Sequence, residues 1–370
     1  MTRRMKAAVV AAVGRPFEVV ELEIDDPIGR EVLVEVRASG LCHSDLHIAT
    51  QDYGYPMPIV LGHELGGVVV AVGPDVTTLT VGDHVAGSLI QFCGHCDACL
   101  SGRTHQCLAG ATLYRRAEDG ERLRRSDDGS PVFPGMGLGA FAEYSLVHEN
   151  QLVRVPDDMP FAPAALLGCG VITGIGAALN SAEVRVGDTT VVIGCGGVGL
   201  NVISGARLAG ARSIVAIDVN ADKLELARQF GATDVIDASA ADAVEELARR
   251  HPDGVDHAFE VVGSPATTYQ AMQMTRLGGT VYLIGLHPPG SKIELVDVFP
   301  NLIMRQLTIR AVNMGSTNLR RDIPLYAELY QQGRLELDAL ISREIALDEI
   351  DAAYAEVTTG RIARAVVTRF

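Results

Sequence analysis

Four cysteines placed close together provide the first indication of chemistry in this chain. They form a C-x2-C-x2-C-x7-C array made of Cys93, Cys96, Cys99 and Cys107. Four thiolates complete the tetrahedral shell of a zinc ion and leave no position for a substrate, so the array predicts a structural zinc site. Disulfides are the alternative. They are disfavoured because such closely spaced cysteines pair poorly and a reducing compartment is expected.

A second set of soft ligands is scattered over three segments. Cys42 and Cys169 each supply a thiol, and His63 supplies an imidazole. Two cysteines, one histidine and an open fourth position are typical of a catalytic zinc ion. Taken singly, each residue is more often a buried structural one. Their joint occurrence with the cysteine array and a glycine loop favours the metal interpretation.

The glycine loop at 194–199 fits the pattern G-x-G-x-x-G between an apolar strand (189–193) and a helix (200–209). Glycines allow a tight turn and close approach to a pyrophosphate, while the helix N-terminus supplies N–H donors. The predicted cofactor-binding residues of this loop are Gly194, Gly196, Gly197, Val198 and Gly199. The remaining loop residue, Cys195, is interpreted as a small filler, with a redox-sensitive thiol as the alternative.

An acidic residue follows the loop at the distance expected for a ribose ligand. Asp218 ends the next predicted strand, where a carboxylate accepts from ribose hydroxyls and repels a 2′-phosphate, so NAD is favoured over NADP. Lys223 is a candidate for a further ribose contact, and a solvated helix residue is the equal alternative.

The pattern of elements that must position these residues changes near Cys169. Before it, short β-like runs such as 32–36 and 66–73 alternate with glycine-rich turns, and the charged stretch 108–139 indicates a surface loop or insertion. After it, strands at 189–193, 213–217, 235–236, 257–262 and 280–285 alternate with helices at 200–209, 222–230, 240–250 and 266–277. This alternation predicts a doubly wound parallel sheet in an α/β protein. A helix at 322–332 and a strand at 365–369 are expected to close the chain.

Composition restricts the class of protein and its partners. The chain has 370 residues, enough for two domains, and 48% of them are hydrophobic. A net charge of −15 disfavours nucleic acid as a partner. The apolar run 7–13 leads into an alternating strand pattern, and no apolar run approaches the length of a membrane span. We therefore expect a cytoplasmic protein without a membrane partner.

Taken together, these motifs resemble the zinc-containing alcohol dehydrogenases of the medium-chain dehydrogenase/reductase superfamily. The resemblance covers nearly the whole chain and includes residues 42–45, 62–64 and 139–144 as well as the cysteine array and the glycine loop. It implies a discontinuous, β-rich GroES-like catalytic domain (1–171 and 314–370), a Rossmann NAD-binding domain (172–313) and an active-site cleft between them.

The resemblance also implies roles at the catalytic site. Cys42, His63 and Cys169 would bind the catalytic zinc ion, with water or alcohol as the fourth ligand. Asp45 would orient the ring of His63, and Glu64 would lie behind the metal as an occasional ligand. Ser44 would accept the alcohol proton, which passes to His47 through the nicotinamide ribose. The alternative is that Ser44 caps a helix and His47 is a surface residue.

By the same resemblance, three further residues would contact the cofactor. Thr173 would help to hold it, and Arg364 would contact its pyrophosphate. His43 occupies a position where many relatives carry arginine, which predicts a weaker phosphate contact.

The resemblance predicts an enzyme that uses two zinc ions and NAD to interconvert a primary alcohol and its aldehyde. Leu89, Phe92 and the 108–139 stretch suggest an apolar pocket for aromatic or medium-chain alcohols. Three alternatives stay open: a thiol-dependent formaldehyde dehydrogenase, a nicotinoprotein that keeps its NAD bound, and a non-catalytic zinc- and NAD-binding protein. The strand candidate 307–312 could pair across a two-fold axis, so a homodimer is expected.

Overall fold

The computed structural model describes residues 2–358, 362 and 364–370. These residues form two compact units, one comprising Met1–Cys169 and Asn318–Phe370 and the other comprising Gly170–Thr317. The limits of these units lie a few residues from the predicted domain boundaries at 171/172 and 313/314. The domain boundaries themselves stay a prediction.

The first unit begins with ten strands and three α-helices. The strands are β1 (Arg3–Val10), β2 (Phe17–Ile24), β3 (Glu31–Gly40), β4 (Ile59–Val60), β5 (Glu64–Val72), β6 (His84–Gly87), β7 (Leu123–Arg125), β8 (Pro131–Pro134), β9 (Tyr144–His148) and β10 (Leu152–Arg154). The helices are α1 (His43–Thr50), α2 (Asp97–Leu100) and α3 (Phe161–Leu166).

The second unit contains six strands and five α-helices. Its strands are β11 (Thr189–Ile193), β12 (Ser213–Asp218), β13 (Asp234–Asp237), β14 (Val255–Glu260), β15 (Thr275–Leu283) and β16 (Thr308–Ala311). Its helices are α4 (Ile172–Gly176), α5 (Gly197–Ala209), α6 (Ala221–Phe230), α7 (Ala243–Arg250) and α8 (Pro265–Met274). The chain then returns to the first unit with α9 (Leu319–Gln331), β17 (Arg343–Ala346), α10 (Ile350–Thr358) and β18 (Ala365–Arg369).

Two β-systems build the first unit. Strands β1, β2, β7, β8 and β4 close into a small barrel, and a seven-stranded sheet runs in the order β10-β6-β5-β3-β18-β17, with β9 paired to β3. The interpretation of 108–139 as a surface loop is wrong in part, because this stretch supplies two strands of the barrel, β7 and β8. Their few residues gave too short an alternating pattern to be recognised in the sequence.

The second unit is a six-stranded parallel sheet in the order β13-β12-β11-β14-β15-β16. All five residues of β11 are buried, as expected for a central strand covered on both faces. Turn and cap residues set the helix limits. Asn220 accepts from the backbone N–H groups of Asp222 and Lys223 to begin α6, and Gly231 ends that helix with φ 115°. The predicted helix 266–277 is three residues too long, because β15 begins at Thr275.

One helical segment, Phe161–Ser181, is long and apolar enough to cross a membrane by length and composition alone. In its most apolar window 94% is buried inside the protein, as in the core helix of a globular protein.

Candidate metal and cofactor sites

The scattered ligands meet in the first unit. The donor atoms of Cys42, His63, Glu64 and Cys169 all lie within 4.8 Å of one another, and all four residues are buried. Cys42 directly precedes α1, and His63 directly precedes β5. Cys169 belongs to the helical segment Phe161–Ser181. Strand ends and a buried helix thus hold a site whose ligands are far apart in sequence.

The donor set fits a zinc ion. Zinc–sulfur and zinc–nitrogen bonds of about 2.3 and 2.0 Å at tetrahedral angles place neighbouring donors roughly 3.5 Å apart. The Nε2 of His63 lies 3.3 Å from the Sγ of Cys169. The hydrogen bond from Cys169 and the charge of His63 lower the pKa of Cys42 despite its burial, which favours the thiolate that a metal requires.

A buried carboxylate fixes the imidazole. The Oδ1 of Asp45 accepts from the Nδ1–H of His63 at 2.9 Å and from the backbone N–H of Gly62 at 3.1 Å. The proton therefore stays on Nδ1, and Nε2 is directed towards the thiols. Burial acts to lower the pKa of His63, but the charges of Asp45 and Cys42 raise it well above its ordinary value.

An ion pair lies behind these ligands. The Nη2 of Arg364 donates to the Oε1 of Glu64 at 2.8 Å, and Nη1 donates to the carbonyl of Leu41 at 2.8 Å. Burial raises the pKa of Glu64 to about 7. A Cβ at Gly40 would lie 2.0 Å from the Oε2 of Glu64, so this carboxylate depends on a glycine opposite it. The guanidinium of Arg364 is engaged here, and its pyrophosphate contact stays a prediction.

Helix α1 carries the residues of the predicted proton relay. The Oγ of Ser44 lies 3.6 Å from the Sγ of Cys42, and His47 follows on the same side of the helix one turn later. The alternative in which Ser44 caps the helix is wrong, because Cys42 occupies the N-cap position. His43 is exposed, and its ring centroid lies 6.5 Å from that of His47. The relay itself stays a prediction.

The four-cysteine array also converges. The sulfur atoms of Cys93, Cys96, Cys99 and Cys107 lie within 4.8 Å of one another. The Sγ of Cys96 is 3.5 Å from that of Cys99 and 3.8 Å from that of Cys107, as expected for sulfurs around one tetrahedral zinc ion. All seven cysteines are free, so the disulfide alternative is wrong.

The glycine loop joins β11 to α5 in the second unit. A Cβ at Gly199 would lie 1.8 Å from the carbonyl oxygen of Gly194, which has φ 99°, so this tight strand–helix turn requires glycine. At Gly196 a Cβ would meet nothing within 4 Å, which leaves that face of the loop open to a ligand. Asp218 ends β12, and its Oδ2 accepts from the N–H of Cys195 at 2.7 Å.

The other predicted cofactor residues of this unit differ in exposure. Thr173 is 8% exposed, and its hydroxyl lies 3.6 Å from the sulfur of Met314. Lys223 is half-buried in the first turn of α6. The thiol of Cys195 is fully buried, and burial together with the charge of Asp218 raises its pKa. A high pKa and a sealed position favour the filler interpretation over a redox-sensitive thiol.

Two groups with a place in these sites were missed in the sequence. The hydroxyl of Tyr354 donates to the carbonyl of Cys42 at 3.1 Å across 312 residues, which no local pattern indicates. Glu260 is a fully buried carboxylate at the end of β14, beside the end of β11. Its signal was available, since an acid that ends an otherwise apolar strand of a doubly wound sheet lies where ligands bind.

Comparison with known proteins places the whole chain in one family. Residues 29–157 match the alcohol dehydrogenase GroES-like domain, and residues 197–332 match the zinc-binding dehydrogenase family. The chain is 35% identical over 375 residues to an S-(hydroxymethyl)glutathione dehydrogenase of Paracoccus denitrificans, covering 98% of this chain and 99% of the relative. It is 37% identical to an NDMA-dependent alcohol dehydrogenase of Amycolatopsis methanolica, covering 98% of each.

A solved structure gives the same result. The crystal structure of benzyl alcohol dehydrogenase from Acinetobacter calcoaceticus is similar with a TM-score of 0.92 and 34% identity over 100% of both chains. The predicted fold class, a GroES-like β-rich domain with a Rossmann doubly wound sheet, is confirmed. The chain therefore belongs to the zinc-containing alcohol dehydrogenases of the medium-chain dehydrogenase/reductase superfamily.

Proposed function

We propose that the protein is a zinc- and NAD-dependent alcohol dehydrogenase that interconverts a primary alcohol, aromatic or medium-chain, and its aldehyde. The observation that carries this proposal is the buried cluster of Cys42, His63 and Cys169, with Asp45 behind it and Ser44 beside it. A structural zinc site would need a fourth protein ligand with full access to the metal. Glu64 lies within 4.8 Å of the other donors, but its Oε1 is bound to Arg364 at 2.8 Å, which supports a fourth position open to a substrate.

Each residue then has a defined task. Cys42, His63 and Cys169 would hold the catalytic zinc ion, which supplies Lewis-acid activation of the alcohol hydroxyl when bound. The glycine loop and Asp218 would hold NAD, which supplies the hydride acceptor when bound. Ser44 would accept the proton of the alcohol while releasing its own hydroxyl proton towards His47, which would pass it to solvent. Asp45 keeps the His63 ring in one tautomer and one orientation.

The thiol-dependent alternative is supported by the S-(hydroxymethyl)glutathione dehydrogenase relative. A glutathione adduct carries carboxylates that need accessible cations. Within the described residues, two arginines of the 108–139 stretch are not accessible. Arg115 and Arg122 have side chains only 5% and 4% exposed and are both bound to Glu31. Arg116 of the same stretch has a side chain that is 74% exposed, so substrate assays must separate the two alternatives.

Substrate assays separate these alternatives. Wild-type enzyme with NAD is expected to oxidise benzyl alcohol and hexanol without added thiol. Turnover of formaldehyde that strictly requires glutathione would contradict the alcohol assignment. NAD released only on denaturation of the purified enzyme would identify the nicotinoprotein, a property that the NDMA-dependent relative makes worth testing. Failure to turn over any alcohol or adduct with two zinc ions bound would refute the dehydrogenase assignment.

The variant Asp45→Asn tests the metal site itself. An amide at this position either donates to the imidazole or accepts weakly from it, so the affinity for catalytic zinc should fall by about 10- to 100-fold. Zinc analysis at low free zinc should give close to one ion per chain. The matched control is Asp52→Asn, an exposed aspartate of the same first unit that accepts from the N–H of Gly54 at 2.8 Å. It should keep both ions, and equal zinc loss in the two variants would contradict the role of Asp45.

A homodimer is part of this proposal. Strand β16 ends the six-stranded sheet, and all four of its residues are exposed, so its edge is available for pairing. Nearby, Phe299, Ile303 and Met304 are 64%, 61% and 62% exposed. Light scattering should give twice the chain mass for the wild type. The variant Ile309→Lys in β16 should shift the protein towards the monomer, and a monomeric wild type would refute the dimer.

The compartment is also proposed. Two sites made of free thiols need reducing conditions, and a cytoplasmic location provides them.

A further inference from the structure

A buried carboxylate in the second unit has no place in the proton relay or the zinc sites. Glu260 is the last residue of β14 and is 0% exposed. It pairs with Ile193, the last residue of β11, in the parallel ladder. Sheet order changes direction between these strands, since β11 connects to β12 on one side and adjoins β14 on the other. In doubly wound sheets, ligands bind outside the carboxyl ends of the strands at such a switch point.

The side chain of Glu260 organises the turn that follows it. Its Oε1 accepts from the backbone N–H groups of Val262 at 2.9 Å and Gly263 at 2.8 Å, and from the hydroxyl of Thr267 at 2.8 Å. Two consecutive N–H groups therefore point inward to one carboxylate oxygen. The second oxygen, Oε2, is buried and has no hydrogen-bond partner among the described residues.

The main chain of Glu260 also forms hydrogen bonds with the residues that follow the neighbouring strand, β15. Its carbonyl accepts from the N–H of Ile284 at 2.9 Å and from that of Gly285 at 3.1 Å, the residues that follow β15. Gly285 then packs so closely on the turn that a Cβ there would lie 2.0 Å from the nitrogen of Gly263. One residue thus fixes the segments that leave β14 and β15.

The turn held by Glu260 touches the glycine loop. A Cβ at Gly194 would lie 2.9 Å from the Cγ2 of Val262. Val262 is 53% exposed although it is apolar, so its side chain lies beside the loop at the surface of the unit. On the other side of the loop, Asp218 holds the N–H of Cys195. The start of the loop is therefore flanked by Asp218 on one side and by the Val262 turn on the other.

We infer that Glu260 is a positioning residue for the dinucleotide: it holds the Val262–Gly263 turn as the wall of the cofactor site opposite Asp218. It does this by accepting the inward N–H groups, and it does not itself take part in hydride transfer. The inference rests on NAD as the cofactor of the proposed function. The structure thereby assigns to a buried acid a role in cofactor affinity that the glycine-loop motif does not contain.

The test compares two carboxylates of the same strand. Asp256 lies at the amino end of β14 and, like Glu260, accepts from a backbone N–H and a hydroxyl, both of Thr189 at 2.7 Å. It lies where the parallel strands begin, whereas the glycine loop lies where they end. Both Glu260→Ala and Asp256→Ala should lower the melting temperature of the protein. Only Glu260→Ala should weaken NADH binding, by tenfold or more, which corresponds to about 1.4 kcal/mol.

The dissociation constant of NADH is measured directly from its own fluorescence, since the chain contains no tryptophan to interfere. The conservative variant Glu260→Gln keeps one carbonyl oxygen for the turn and should raise the dissociation constant only two- to fivefold. The KM for NAD should rise in parallel while kcat at saturating NAD stays within about twofold of wild type. If Glu260→Ala does not fold, Glu260→Gln against Asp256→Asn gives the same comparison.

Equal NADH affinity in Glu260→Ala and wild type would overturn the inference, as would an equal loss in the two alanine variants. If only the glutamine and asparagine variants fold, the same affinity in both would overturn it. A wild type that binds no NADH would instead refute the cofactor of the proposed function. Wild-type binding that no Glu260 variant weakens would refute the positioning role alone.

Discussion

The carboxylate of Glu31 is the centre of a buried ion cluster that attaches the 108–139 stretch to strand β3. It accepts from the Nε and Nη2 of Arg115 at 3.0 and 2.8 Å and from the Nε of Arg122 at 2.7 Å. The side chains of all three residues are no more than 5% exposed. The variant Glu31→Gln would leave two buried guanidinium groups facing a neutral amide.

The size of the effect follows from what each arginine retains. Removing one partner of a buried ion pair costs about 3–5 kcal/mol because the other charge stays buried. Arg115 still binds Asp25 at 2.7 Å, and Arg122 still donates to the carbonyl of Leu113 at 2.7 Å. We therefore expect the lower end of that range, a loss of about 3 kcal/mol in the free energy of unfolding of the first unit.

A matched control is available four residues away. Glu35 pairs with Arg37 at 3.0 Å, but the two side chains are 33% and 51% exposed. Solvent screening limits such a pair to about 0–1 kcal/mol, so Glu35→Gln should change little. Both variants are compared with wild type by urea unfolding at pH 7 with saturating zinc, followed by circular dichroism. Limited proteolysis at increasing urea concentration, with cleavage followed within 108–139, identifies which unfolding transition belongs to the first unit.

The pH dependence provides a second check. Burial acts to raise the pKa of Glu31, but the hydrogen bond from Arg115 and the charge of Arg122 lower it below its ordinary value. A depressed carboxyl pKa means that the stabilisation is complete above the unfolded pKa, about 4.3, and is lost as pH falls through the folded pKa. The difference between Glu31→Gln and wild type should therefore shrink in acid. Changes below about 1 kcal/mol at pH 7 for both variants would refute the reasoning.

Three further predictions concern other parts of the molecule. Gly199→Ala should abolish NADH binding at millimolar cofactor while zinc analysis still gives two ions, because the added Cβ would meet the Gly194 carbonyl at 1.8 Å; unchanged NADH affinity would contradict this. Cys99→Ser should lose one zinc ion and melt at lower temperature, whereas Cys195→Ser should keep both ions; equal zinc content would contradict the structural site. Burial and the charge of Arg30 lower the pKa of His148 to about 4. The unfolded chain then binds more protons between pH 6.5 and 4, so stability should fall by about 2 kcal/mol from pH 7 to 5; His148→Gln should flatten that slope in urea titrations, and an unchanged slope would count against it.

The sequence allowed prediction of the features that depend on short, local patterns. The four-cysteine array and the glycine loop are each continuous, and their spacing alone limits what they can bind. The alternation of apolar strands with helices after Cys169 likewise predicted the doubly wound sheet, because buried parallel strands are apolar throughout. The helix predicted at 222–230 spans Ala221–Phe230, between the cap residues Asn220 and Gly231.

Features that depend on distant contacts were not predicted. The hydrogen bond between the Arg364 guanidinium and Glu64, 300 residues away, had no signal in the sequence. Strands β7 and β8 are three and four residues long and acquire their role only by closing a barrel with β1, β2 and β4. Glu260 acts through backbone N–H groups of a turn, and a turn of this kind has no side-chain motif of its own.

The distribution of the cysteines has a practical consequence. Six of the seven belong to the two clusters, four in one and two in the other, and the seventh is sealed inside the glycine loop. A fully loaded enzyme should therefore show almost no colour with a thiol reagent. Gradual chelation should release reactive sulfur in portions of four or two. A simple colorimetric titration would thus report which ion leaves first, without any measurement of the metal itself.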